Sequence, residues 1–160
     1  MKTYLKKGEG RSLKTGGLWV YDNEIGAVEG AAQDGDIVEL LDHDGYFLGY
    51  GFYNSHSKIR VRILSRDKKQ TVTEDLLRER VRAAWAYRKR VMRTPEDLSA
   101  CRLIFGEADL LPGLTVDRFG EVLVAESLAL GIDRLKKTIL SALIEALRAD
   151  GLTIRGVYER

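Results

Sequence analysis

The sequence contains a single cysteine, Cys101, and no apolar run near the roughly 20 residues that a membrane-spanning helix requires. Its basic N-terminus is not followed by an apolar segment, so no secretory signal is predicted. One cysteine excludes an internal disulfide framework and is typical of a reducing compartment. These absences predict a cytoplasmic protein without a membrane partner.

Groups that hold metals or cofactors are also scarce. His43, His56 and Cys101 are scattered, whereas structural zinc needs four clustered ligands. Gly49-Tyr50-Gly51 is followed by a predicted strand, not by a helix whose N-terminus could hold a phosphate. We therefore expect no metal site, no cofactor site and no catalytic residue in this chain. Cys101 is predicted to be an unactivated thiol, and His56 a hydrogen-bonded turn residue.

The charges are distributed very unevenly around a formal net charge of +2. Residues 15–57 carry eight acids and no lysine or arginine, whereas residues 58–93 carry thirteen basic residues and four acids. Such segregation can create a basic surface on a nearly neutral protein. The alternative is that these charges lie on ordinary solvated faces of helices and strands.

The most regular cations lie on a predicted strand, Ile59–Leu64, that alternates apolar and basic residues. Because strand side chains alternate between two faces, the apolar ones can be buried while the basic ones face outward. Outward cations can bind RNA phosphates, and neighbouring aromatic rings can stack on bases. Trp19 taken alone is more typical of a barrel core. The predicted RNA-binding residues are Lys14, Trp19, Tyr53, Lys58, Arg60 and Arg62.

Short strands separated by glycine turns predict a small β-barrel over residues 1–66. Gly49 and Gly51 indicate a bulge, or a place where another backbone comes close. The predicted strands are Leu18–Tyr21, Gly35–Leu41, Tyr46–Tyr53 and Ile59–Leu64.

Helical periodicity begins after a boundary at residues 66–70, and residues 70–160 are predicted to form an α+β domain. Thr71 and Glu74 have capping-box spacing at the start of the first helix. The predicted order is a helix at 74–93, a strand at 102–105, a hairpin with strands at 114–117 and 122–126, a helix at 132–149 and a strand at 153–158.

A polar cluster in this second part contains Glu107, Asp109, Asp117 and Arg118. Two carboxylates near a Pro-Gly turn could perform acid–base chemistry. We favour a structural role, in which the acids cap turns and pair with Arg118 or with a neighbouring domain.

Several segments resemble one enzyme family. Residues 35–38 (GDIV), 47–54 (FLGYGFYN) and 57–62 (SKIRVR) resemble the N-terminal PUA domain of bacterial 23S ribosomal RNA cytosine-C5 methyltransferases, which use S-adenosylmethionine. Residues 102–109 (RLIFGEAD), 111–120 (LPGLTVDRFG) and 158–160 (YER) extend the resemblance over nearly the whole chain. Two departures are Gly17-Leu18-Trp19, where the family usually has His-Pro-Trp, and Leu110, which replaces a glycine.

The resemblance implies a PUA domain that binds ribosomal RNA, followed by a central α+β connecting domain. The Rossmann domain, which holds S-adenosylmethionine and the catalytic cysteine in the family, is expected to be absent from this chain. That missing C-terminal domain is then an expected partner, with Glu107, Asp109, Asp117 and Arg118 as interface candidates. A homodimer of the full-length protein stays open.

Two other functions fit the same residues. The chain could act as a stand-alone PUA-type RNA-binding adaptor without catalysis. Alternatively, it could be a protein-interaction module whose basic helix at 74–93 binds an acidic partner.

Overall fold

The computed structural model describes residues 1–70 and 72–160 and contains two compact units, Met1–Val72 and Thr73–Arg160. A six-stranded sheet forms the first unit, and a four-stranded sheet with helices forms the second. The predicted fold class, a small barrel-like β domain followed by an α+β domain, is confirmed.

The first unit is a curled sheet that forms a half-barrel around an apolar core. Its strands lie in the order β2-β6-β5-β4-β1-β3, and every pair is antiparallel except the parallel pair β1–β4. The elements are β1 (Lys2–Leu5), α1 (Arg11–Lys14), β2 (Trp19–Tyr21), β3 (Ile25–Glu29), β4 (Ile37–Leu41), β5 (Phe47–Tyr53) and β6 (Ile59–Ser65). The core residues are Leu5, Leu13, Val20, Val38, Leu40, Val61 and Ile63.

Glycine in β5 allows the neighbouring strand to approach closely. A Cβ atom on Gly51 would lie 2.6 Å from the carbonyl oxygen of Arg62 and 2.6 Å from a methyl group of Val61. The β5–β6 register also shifts between Tyr50 and Gly51. The bulge and the close approach predicted from the glycines of this strand are therefore confirmed.

The second unit packs two long helices against a sheet with the strand order β10-β9-β8-β7. The β9–β10 pair is parallel and the other two pairs are antiparallel. Helices α2 and α4 contact each other, and they also contact β7 and β9, respectively. The elements are α2 (Glu74–Val91), α3 (Pro95–Ser99), β7 (Ala100–Phe105), β8 (Leu114–Phe119), β9 (Val122–Ser127), α4 (Leu130–Ala149) and β10 (Gly156–Glu159).

The ends of α2 differ from the prediction. Thr73 is the N-terminal cap, because its hydroxyl accepts a hydrogen bond from the Leu76 N–H at 3.3 Å. The predicted capping residue, Thr71, lies outside the described residues. The helix ends at Val91, two residues before the predicted limit.

The remaining boundaries follow turn chemistry. Pro95 begins α3, at the first helical position to which proline is suited, and Thr94 caps that helix by accepting the Asp97 N–H at 3.1 Å. Gly151 has a φ of +79° just after α4, the left-handed conformation with which a glycine commonly ends a helix. The last strand begins at Gly156, later than the predicted Thr153.

Within residues 1–70 and 72–160, no helix combines the length and the apolar character that crossing a bilayer requires.

Candidate nucleic-acid interface

Pairing of β2 with β6 brings a tryptophan and an arginine together on the outer side of the half-barrel. Trp19 lies directly opposite Arg62 in the register, and the guanidinium carbon is 5.2 Å from the centroid of the indole ring. Trp19 keeps 40% of its surface exposed, so it is a surface residue and not part of the core. A cation over an exposed aromatic ring is a suitable arrangement for contacting phosphates and bases together.

Tyr21 lies on the same outer side of β2. Burial alternates along this strand: Trp19 is exposed, Val20 is completely buried in the core, and Tyr21 is 42% exposed. Sequence reasoning missed Tyr21, although the alternation that buries Val20 also orients both aromatic neighbours outward.

Of the predicted cations of the β6 region, Lys58 is exposed, whereas Arg60 and Arg62 are both half-buried. Arg60 is half-buried and its Nη1 donates to the carbonyl oxygens of Asn54 (3.2 Å) and Ser55, so this guanidinium stabilises the turn between β5 and β6. Lys58 is exposed just before β6, and its carbonyl oxygen accepts the Asp22 N–H at 2.9 Å. Lys58 therefore lies beside the Tyr21 end of β2, while Arg62 lies beside Trp19.

Tyr53 does not join these residues. It lies opposite Val61 in the register and packs against the buried core, whereas Arg62 is on the other face of β6. We name the outward set of Trp19, Tyr21, Lys58 and Arg62 the outer row.

Lys14 is the exposed last residue of α1, the short helix that precedes β2. Arg66 holds this segment, because its guanidinium donates to the carbonyl oxygens of Leu13 at 2.7 Å and Gly17 at 2.5 Å. The connection from Lys14 to β2 is thereby fastened to the residue that follows β6.

The turn between β5 and β6 contains a hydrogen-bonded histidine, as predicted. His56 Nδ1 lies 2.8 Å from a carboxylate oxygen of Asp34, and the Ser55 N–H donates to the other oxygen at 2.5 Å. The Ser55 N–H, followed by His56, lowers the pKa of Asp34 to about 2. These contacts give His56 a structural role in the turn.

The polar cluster predicted in the second unit divides into separate sites. Asp109 forms a two-point ion pair with Arg88 of α2, at 2.9 and 2.6 Å, and also accepts the Phe105 N–H at 2.6 Å. The expected partner, Arg118, was therefore wrong for this carboxylate. Glu107 is half-buried in the preceding 3-10 turn, Gly106–Asp109.

Asp117 and Arg118 are neighbours on β8, so their side chains point to opposite faces of the sheet. Arg118 is buried and donates to the carbonyl oxygens of Gly120 at 2.8 Å and Leu98 at 2.9 Å. Asp117 is on the other face and accepts from Arg102 at 2.8 and 3.0 Å. Of these two candidates, only Asp117 presents its side chain away from the packed helices.

The basic charge of α2 is largely used within the second unit. Arg80 and Arg88 are buried. Arg78 and Lys89 form ion pairs with carboxylates of α4 and of its C-terminal cap, at 2.8 and 2.6 Å. Four of the cations of this helix therefore have partners inside the unit, so its exposed basic surface is smaller than the charge count of the sequence indicates.

Cys101 fits the unactivated thiol predicted from the sequence. It is partly buried, its Sγ donates to the Leu98 carbonyl oxygen at 3.6 Å, and burial raises the pKa of the thiol. A raised pKa reduces the thiolate fraction that nucleophilic chemistry needs.

The half-barrel belongs to a recognised class of domain. Residues 4–66 match the family model described as a PUA-like domain. The first unit of this chain is thus a PUA-like domain, with the outer row on its surface.

Most of the chain is similar to curated proteins named ribosomal RNA large subunit methyltransferase I. It is 40% identical over 141 residues to the protein of Shewanella frigidimarina, covering 88% of this chain and 35% of that protein. It is 39% identical over 157 residues to the protein of Shewanella denitrificans, covering 98% of this chain and 38% of that protein. The chain therefore spans little more than a third of the length of these relatives.

Two solved structures share the fold. One is described as a candidate SAM-dependent methyltransferase from Streptococcus mutans, with a TM-score of 0.80 and 18% identity. The other is described as a candidate methyltransferase complexed with SAH, with a TM-score of 0.82 and 18% identity. Each match covers 100% of this chain and 40% of the other chain.

Proposed function

We propose that this chain is the RNA-binding and connecting portion of a SAM-dependent methyltransferase that modifies cytosine C5 in 23S ribosomal RNA. Residues 1–66 bind the RNA, and residues 70–160 connect this domain to a catalytic domain that holds the cofactor. The observation that carries the proposal is the 40% identity, over 88% of this chain, to a relative named for ribosomal RNA methylation.

The outer row supplies the chemistry of RNA binding. Lys58 and Arg62 neutralise backbone phosphates, and Trp19 offers an exposed ring to a base. Lys14 adds a further exposed cation on the segment before β2. Arg60 contributes indirectly, because it holds the turn from which Lys58 projects.

The second unit offers a surface to the catalytic domain. The face of its sheet opposite the helices contains the Arg102–Asp117 ion pair and the exposed side chains of Phe119, Val122 and Tyr158. We name these five residues the open face. A polar pair surrounded by exposed apolar side chains is typical of a surface that another domain covers. Asp109 and Arg118 support this surface by fixing the loops around it, and Glu107, on the turn after β7, is a further candidate for the interface.

The experiment compares RNA binding by two variants with equal changes in charge. In the full chain, Lys58→Ala with Arg62→Ala removes the two cations of the outer row. The control, Lys137→Ala with Arg148→Ala, removes two exposed cations of α4 in the second unit. Affinity for a large-subunit ribosomal RNA fragment is measured across a range of salt concentrations.

The unmodified chain is expected to lose affinity linearly on a logarithmic salt scale, because binding releases counterions. Removing the two outer-row cations should reduce the magnitude of the salt slope by about 1 for each lost phosphate contact. The α4 control should keep both affinity and slope. Equal behaviour of the two double variants would overturn the assignment of RNA binding to this surface.

A further inference from the structure

We infer that Trp19 and Tyr21 form a two-ring stacking surface that makes the PUA-like unit select single-stranded RNA over duplex RNA. This inference rests on the proposed function and deepens it by naming the form of RNA that the outer row takes.

Strand β2 is the first strand in the sheet order, and only β6 is hydrogen-bonded to it among the described strands. Its two aromatic side chains are separated by one residue, face outward, and keep 40% and 42% of their surface exposed. On one face of a strand, positions i and i+2 are about 7 Å apart. Each of two rings at this spacing can stack on one base of a single RNA strand whose bases are splayed apart.

On the neighbouring chain segment, one cation lies beside each of the two rings. Arg62 lies opposite Trp19, with its guanidinium 5.2 Å from the ring centroid. Lys58 is at the other end, where its carbonyl oxygen accepts the N–H of the residue after Tyr21. An RNA strand that runs along β2 can therefore place its bases on the two rings and its phosphates beside Arg62 and Lys58. Stacking rings next to a cationic track are the common design of single-strand binding sites.

The backbone that carries the two rings is held in place before any RNA binds. Val20, between them, is completely buried in the core. The buried carboxylate of Glu24 accepts the Tyr21 N–H at 2.8 Å and also the Gly10 N–H at 3.4 Å, which fixes the end of β2. Preorganised aromatic rings lose little conformational entropy on binding, so their stacking contributes directly to affinity.

Duplex RNA cannot use this surface fully. Its bases are stacked on each other inside the helix, so a protein ring can reach only the backbone and the edges of the groove. A duplex would therefore contact the cations of the outer row and leave both rings unused. Aromatic substitutions should then weaken single-strand binding and leave duplex binding nearly unchanged.

The experiment uses the full chain with an unstructured 12-nucleotide RNA, either single-stranded or annealed to its complement. Trp19→Ala and Tyr21→Ala should each weaken single-strand binding by about 5- to 160-fold, the range that follows from stacking energies of about 1–3 kcal/mol. Trp19→Phe and Tyr21→Phe should restore most of the affinity, because phenylalanine also stacks. Tyr46→Ala is the matched control, since Tyr46 is 71% exposed in the same unit but lies outside the outer row.

Fluorescence provides a second measurement in the same titration. Trp19 is exposed and the other tryptophan, Trp85, is 4% exposed, so quenching on single-strand binding should come from Trp19 and disappear in Trp19→Phe. Salt-dependent RNA binding that survives both alanine variants would overturn the stacking inference and leave the proposed function standing. No binding of either RNA form would overturn both.

Discussion

Leu110 has a φ of +59°, in the left-handed region that suits glycine. It follows the 3-10 turn Gly106–Asp109 and keeps 48% of its surface exposed. Its side chain therefore gains little from burial while its backbone is strained. The family that this sequence resembles has a glycine at this position. The replacement of that glycine by leucine therefore strains the backbone.

Leu110→Gly should therefore stabilise the second unit, by about 1 kcal/mol, because a left-handed conformation costs a non-glycine residue about 1–2 kcal/mol. Thermal unfolding should show a midpoint higher by about 2–4 °C. Leu110→Ala is the control, since it removes the side chain and keeps the Cβ atom that causes the strain. An equal gain in the alanine variant would show that the leucine side chain, and not the backbone, is responsible.

Asp34 should make the first unit sensitive to acid at low pH. Its pKa is lowered to about 2 by the Ser55 N–H and by His56, whereas an unfolded aspartate titrates near 3.9. The resulting stabilisation is complete above the unfolded pKa and is lost as pH falls through the folded one. Asp34→Asn should flatten the pH dependence of the unfolding midpoint between about 4 and 2. An unchanged profile in this variant would exclude Asp34 as the group responsible.

The predictions for single residues were most accurate where the local sequence alone determines whether a side chain is buried or exposed. The outward direction of Arg62 follows from the alternation of side chains within β6. The position of His56 in a turn follows from the polar sequence around it. The Arg88–Asp109 pair joins side chains 21 positions apart, so only the packing of α2 against the loop could reveal it. The position of Tyr53 likewise depended on its register with Val61, which no local pattern specifies.

Among the elements, the close pairing of β5 with β6 depends directly on glycine at one position of β5. Gly51→Ala should destabilise the first unit by about 1–3 kcal/mol, because its Cβ atom would overlap a backbone oxygen that cannot move freely. Gly156→Ala is the control, since a Cβ atom there has no neighbour within 4 Å. Denaturant unfolding measures both. Tolerance of Gly51→Ala with an unchanged midpoint would contradict the close approach of β5 and β6.

The sequence predicted the long, strongly patterned elements and also the short strands β2 and β10, but it missed β1, β3 and the short helix α1. Helices α2 and α4 and strands β4, β5 and β6 each carry a clear periodic pattern over five or more residues. Strand β1 has four residues, of which only Thr3 and Leu5 are buried, and β3 is exposed along most of its length, so neither carries a long apolar alternation. Their pairing with each other, and of β1 with the distant β4, is a property of the folded sheet.

At the scale of the whole molecule, the proposed function requires the open face to be a docking surface. In the isolated chain, exposed Phe119 and Tyr158 should bind a dye that reports apolar surface. Phe119→Ser with Tyr158→Ser should reduce that binding without lowering the unfolding midpoint. Leu128→Ser serves as the control and should leave dye binding nearly unchanged. Leu128 is 66% exposed but lies just beyond the end of β9 and is not one of the residues of the open face. Absence of dye binding by the unmodified chain would count against a docking role.

We propose that the outer row, and not the basic helix α2, contacts RNA. An NMR titration of the full 160-residue chain with a single-stranded fragment of large-subunit ribosomal RNA tests it directly. Chemical-shift changes should concentrate at residues 19–21 and 58–62 and at the indole N–H of Trp19. Changes concentrated instead at the exposed Arg82 and Arg90 of α2 would contradict the account.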